Sequence, residues 1–162
     1  MKKECKTCEF AKNPAMAEAR LHINSFLMGS LFTVLALLWA FSSITVSSAI
    51  TFQMVLAIPL ILFASLSYAK MGYERANNIW NRFGWITNNL GYLLFLNATG
   101  LMVIAFSSRI IGFIYFGLVI ALVMAYYLMN IISQPGTLKE HISKLILWLI
   151  IIFVGGILPI IW

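Results

Sequence analysis

Charge is what this sequence has least of: 10% of its 162 residues are Asp, Glu, Lys or Arg, against about 25% in an ordinary soluble domain. Together with 62% hydrophobic residues, that scarcity excludes a water-soluble globule. It excludes a disordered chain as well, because disorder needs low hydrophobicity. No tandem repeat, low-complexity tract or linker divides the sequence, so a single membrane domain behind a short tail is expected. A cleavable signal peptide is not expected either. The first apolar run begins after 22 mixed-charge residues and is long enough to span rather than be removed.

What the chain does have is five apolar runs, at residues 23–41, 49–69, 90–107, 110–132 and 145–162. Each is close to the ~20 residues that a helix rising ~1.5 Å per residue needs to cross ~30 Å of hydrocarbon. All eleven Lys and Arg residues and all five acidic ones fall outside these runs. That is the distribution demanded by a penalty of roughly 2.5 to 3.5 kcal/mol for a charge at a helix centre. The expected fold is an all-α integral membrane protein with five transmembrane helices in an up-down bundle. Residues 1–22 form a tail and the start of helix 1, and residues 23–162 form the membrane domain.

The connections sort by charge. One set, residues 1–22, 70–89 and 133–144, carries Lys2, Lys3, Lys6, Lys12, Arg20, Lys70, Arg75, Arg82, Lys139 and Lys144, whereas the other carries Arg109 alone. The positive-inside rule then places the N-terminus in the cytoplasm and the C-terminus outside a cell membrane crossed several times. The same asymmetry accounts for the net charge of +6 without nucleic acid, and leaves a basic face able to attract anionic lipid. Trp39, Phe41, Phe52, Phe106 and Trp162 mark the outer boundary in this frame, and Tyr68, Tyr73, Tyr92 and Trp148 the inner one.

Local signals place the helix ends. Asn13 followed by Pro14 reads as an N-cap with proline at the first helical position, so helix 1 is expected from Pro14 to about Phe41. Ser133 to Gly136 stop a helix, and Thr137 with Glu140 forms a capping box that starts helix 5 near Leu138. Ser108 and Arg109 are all that joins spans 3 and 4, which implies an antiparallel hairpin. Residues 73–86 put Tyr73, Ala76, Ile79, Trp80, Phe83 and Ile86 on one helical face. That pattern fits an amphipathic surface segment or a cytosolic extension of helix 2. Pro59 removes a hydrogen bond in the centre of span 2 and predicts a kink that can act as a hinge. Gly155, Gly156 and Pro159 loosen helix 5 in the same way.

Reactive groups are few. Cys5 and Cys8 are the only cysteines, and the orientation puts them in a reducing compartment where a structural disulfide is disfavoured. His22 and His141 are expected on the same membrane face. Two thiolates and two imidazoles could therefore complete a tetrahedral zinc site, although solvent-exposed histidines and a plain tail explain the same residues. No other cofactor is expected. No Asp, Glu, His, Lys, Arg or Cys lies within a span, so intramembrane catalysis is not expected.

Neutral polarity is what remains at depth. Asn97 lies in span 3 and must face a neighbouring helix or a wet cavity, and Asn24, Asn88, Asn89 and Asn130 gather at the cytosolic helix ends. Gly117, Ala121 and Ala125 on span 4, and Ser25, Gly29 and Thr33 on span 1, repeat every four residues. Such stripes let helices approach closely, within one chain or between copies. The leading expectation is a channel or transporter component for a small solute, acting as a homo-oligomer, with Asn97, Asn24 and Asn130 along the path. The alternative is a non-catalytic membrane subunit or scaffold that binds a partner or a metal through its cytosolic face. Lipid and another copy or subunit are the expected partners; nucleic acid is not.

Overall fold

A computed structural model of the chain describes residues 14–40, 48–73, 78–133 and 138–161, with side-chain surroundings for 17–40, 48–71, 79–133 and 141–161. These residues form α1 (Pro14–Ala40), α2 (Ser48–Tyr73), α3 (Asn78–Phe106), α4 (Arg109–Ser133) and α5 (Leu138–Ile152). A π-helical turn, Phe153–Ile157, then leads into the short α6 (Leu158–Ile161). No strand occurs among the described residues. Five stretches are long and apolar enough to cross a membrane: Ala17–Ala40, Ser48–Met71, Ile79–Phe106, Arg109–Ser133 and His141–Ile161. Apolar side chains also cover the outside, as Ile110, Ile114, Leu118 and Leu122 do along one exposed face of α4. A soluble monomer rarely exposes so continuous a patch, whereas lipid accepts it. The chain has the form of a multi-pass membrane protein.

Helix boundaries follow the local signals. α1 starts at Pro14 and α5 at Leu138, while the Ser108 hydroxyl caps α4 by accepting from the Ile111 N–H at 3.3 Å. α2 runs unbroken through Pro59, which lies on an exposed face. The segment 73–86 differs from the expectation of one surface helix. Tyr73 ends α2 and Asn78 begins α3, and α3 continues without interruption through Thr87 into its apolar half, with no proline anywhere in its length. The amphipathic residues from Ile79 on are thus the first turns of α3.

The chain divides into two compact units, and the division cuts α2 after Gln53 and α3 after Phe95. Unit 1 contains α1, α2 from Met54 onward and α3 up to Phe95. Its buried residues include the repeat Ala57, Ile61, Ala64 and Tyr68 of α2, Leu93 of α3 and Leu31, Leu35 and Leu38 of α1, and Gly84 and Gly91 of α3 face the α2 repeat. A Cβ at Gly84 would stand 3.0 Å from Ser67 Cβ, and one at Gly91 would stand 3.3 Å from the backbone nitrogen of Ile61. The two helices are therefore antiparallel and nearly in backbone contact. Small residues permit that approach when lipid supplies no hydrophobic drive between helices.

Unit 2 contains the first turn and a half of α2, α3 from Leu96, and everything that follows. Gly112, Phe116, Val119, Val123 and Tyr127 make the buried stripe of α4. Tyr127 meets Trp148 of α5 edge to face at 6.3 Å between ring centroids. Gly100 of α3 lies against Tyr115 and Phe116, and Gly112 against Ile104, which closes the α3–α4 hairpin expected at Ser108 and Arg109.

Candidate functional site

Most polar side chains in the helices bond their own backbone. Ser25, Ser30, Thr33, Ser67, Thr87 and Ser133 each donate to a carbonyl four residues earlier, at 2.8 to 3.0 Å. Such bonds use the hydroxyl proton without a partner helix. Two groups of residues depart from this pattern, one in each unit.

In unit 1, Asn24 is 0% exposed. Its amide donates to the Ser65 hydroxyl at 3.0 Å, Ser65 donates to the Ile61 carbonyl at 2.8 Å, and the Tyr92 hydroxyl donates to the Asn24 oxygen at 2.6 Å. The Arg20 guanidinium stands 4.9 Å above the Tyr68 ring one turn away. The Asn24 and Ser65 oxygens both have donors, so the group works as a tie among α1, α2 and α3. Tyr92→Phe should remove the donor to Asn24 and lower stability by about 1 kcal/mol. The check is thermal unfolding in detergent, where an unchanged midpoint would mean that Asn24 does not depend on Tyr92.

In unit 2, the cluster forms where helical geometry fails. The Leu158 N–H bonds the Phe153 carbonyl five residues back, the i to i+5 pattern of a π turn. Pro159 has no N–H to offer the Gly155 carbonyl four residues back. That carbonyl accepts instead from Gln53 Nε2 of α2 at 2.7 Å. One turn earlier, the Ile151 carbonyl accepts from Asn97 Nδ2 of α3 at 3.0 Å. Gln53 is 6% exposed and Asn97 0%. Their amide ends are anchored, yet no donor among the described residues reaches Gln53 Oε1 or Asn97 Oδ1.

Gly155 and Gly156 make room for this arrangement. Neither has positive φ, so both are helical and their role is steric. A Cβ on Gly155 would run into the Asn97 amide nitrogen and lie 3.6 Å from Gln53 Oε1. One on Gly156 would press on the Phe116 ring and stand 3.0 Å from Asn97 Oδ1. The two carboxamides thus converge on the glycine pair.

The remaining candidates lie apart from this cluster. Asn88 is half-buried in unit 1 with its oxygen lacking a donor among the described residues, and Asn89 donates to the Trp85 carbonyl at 2.6 Å. Asn130 is half-buried near the C-terminal end of α4. Ser25, Gly29 and Thr33 of α1 and Gly117, Ala121 and Ala125 of α4 are all exposed. No atom lies within 4 Å of a Cβ built on Gly29 or Gly117. Cys5 and Cys8 lie outside the described residues. His22 is exposed beside Glu18 at 3.8 Å, and His141 is half-buried with its ring 6.5 Å from that of Tyr127. Among the described residues no three His, Cys, Asp or Glu side chains come together to hold a metal.

Gln53 escaped the sequence reading. It is the one glutamine in the five apolar runs, and the proline four residues after a glycine in span 5 is the signal for the carbonyl it serves. No protein-family model matches the sequence, and neither does any curated protein or solved structure.

Proposed function

We propose that this chain is a multi-pass protein of the cell membrane, its N-terminus in the cytoplasm, that lets a small polar solute pass, and that the Gln53–Asn97 cluster is a station on the way. The observation that carries the reading is the pair of buried carboxamide oxygens without a donor among the described residues, Gln53 and Asn97 being the two buried polar side chains described in unit 2. A buried acceptor left without a donor costs about 1 to 3 kcal/mol, a cost that a solute bound at the two oxygens would offset. The π turn supports the reading too, since such turns recur where a helix is opened for function. Asn24 has less to offer a solute because Tyr92 already occupies its oxygen.

The exposed small-residue faces of α1 and α4 support action as an assembly of copies. They support the second reading equally, a subunit that docks another membrane protein on those faces. Zinc at Cys5, Cys8, His22 and His141 is no part of the proposal.

Proteoliposomes test it. Vesicles containing the chain and challenged with gradients of water, urea, glycerol, potassium chloride and ammonium chloride should pass at least one of them faster than protein-free vesicles. Asn97→Leu should return that rate to the protein-free level. No excess rate for any solute, with co-purification of a second membrane protein, would replace passage by the subunit reading.

A further inference from the structure

The donor-free oxygens of unit 2 have a definite chemical character. The carbonyls of Gly155 and Ile151 can only accept, so they fix which end of each amide is nitrogen and leave the Gln53 and Asn97 oxygens beside the glycine pair. Flipping either amide would set two oxygens against each other. What the pair leaves without a partner beside the glycines is two acceptor oxygens, uncharged and withdrawn from solvent, with the Asn97 amide nitrogen next to Gly155.

We propose that Gln53 Oε1 and Asn97 Oδ1 form a site for a partly dehydrated monovalent cation, an alkali ion or ammonium. The proposal rests on the solute-passage reading and names the class of solute. An anion is disfavoured by the two oxygens without donors. A divalent ion is disfavoured because hard divalent ions take carboxylates, and the chain has no aspartate and carries its glutamates at positions 4, 9, 18, 74 and 140, outside the apolar runs. Neutral carboxamide and carbonyl dipoles replace the hydration of a single charge at far smaller desolvation cost. Ammonium would donate N–H to both oxygens; sodium or potassium would be coordinated by them together with retained water.

The test is an equilibrium one and needs no flux. The full chain in detergent is heated in sodium, potassium, ammonium or calcium chloride, or in the chloride of N-methylglucamine, a cation too large for the site, all at one ionic strength. One small monovalent cation should raise the Tm saturably by roughly 5 °C over N-methylglucamine. Gln53→Met, similar in length but without the oxygen, should abolish that rise. Should Gln53→Met not purify, equilibrium dialysis of the unaltered chain with labelled rubidium or sodium should find a saturable site holding one ion per chain. Equal midpoints in every salt, a rise in calcium alone, a rise that survives Gln53→Met, or dialysis without saturable binding would each overturn the site. Water or glycerol flux with equal midpoints would leave passage standing and remove the cation. An ion-dependent midpoint without flux would do the reverse.

Discussion

Gly156→Val is expected to destabilise the chain by about 3 to 5 kcal/mol, a sum of overpacking and of a displaced buried amide. The ring of Phe116 lies in a slot between two glycines, because a Cβ on either Gly100 or Gly156 would meet it. Phe116 is 1% exposed and has no free side to swing toward. The same Cβ at position 156 would press on Asn97 Oδ1, so relieving the ring does not relieve the site. Gly155→Ala should follow with a similar loss, since its methyl group would displace the Asn97 amide from the Ile151 carbonyl. The contrast is Gly117→Ala, whose methyl group meets nothing within 4 Å. There the better helix propensity of alanine should leave stability unchanged or raise it by up to about 1 kcal/mol. Unfolding in detergent, followed by tryptophan fluorescence, separates these outcomes. Comparable losses at positions 117 and 156 would show that something other than the Phe116 slot governs glycine in α4 and the π turn.

The contrast between those glycines also marks how much of the molecule could be read beforehand. The five long helices, the starts at Pro14 and Leu138 and the hairpin at Ser108 were all legible, because hydropathy and capping act over a few neighbouring residues. Sequence also marked Gly155, Gly156 and Pro159 as a weak place in the last helix, and a π turn lies there. What stayed hidden is pairing across distance. Asn24 read as an interfacial residue until Ser65 and Tyr92, 41 and 68 positions away, closed around it. Gln53 and Gly155 are 102 positions apart, and no local pattern reports which carbonyl a lone glutamine will meet. Gly29 and Gly117 resembled Gly91 and Gly100 in sequence, yet the first two face outward and the last two face a neighbouring helix. Spacing every four residues identifies a smooth face and says nothing about what lies opposite.

That long-range bond leads to the second large effect. Gln53→Leu should cost about 2 to 3 kcal/mol, since it takes the side-chain donor from the Gly155 carbonyl, to which Pro159 four residues on offers no N–H. The deficit begins with Pro159, so the two positions should be coupled. Pro159→Ala supplies an N–H four residues after Gly155, and in that background the loss from Gln53→Leu should shrink by about 1 to 2 kcal/mol. Measuring unfolding of the original chain, both single variants and the double variant closes the cycle. Additive losses would mean that Gln53 contributes through its packing alone and that Pro159 has no part in creating the need for it. A coupled result would assign the donor missing at Pro159 as the reason a carboxamide sits in that part of α2. It would also explain why its oxygen is left over, because the N–H is the part of the amide that a helix carbonyl needs.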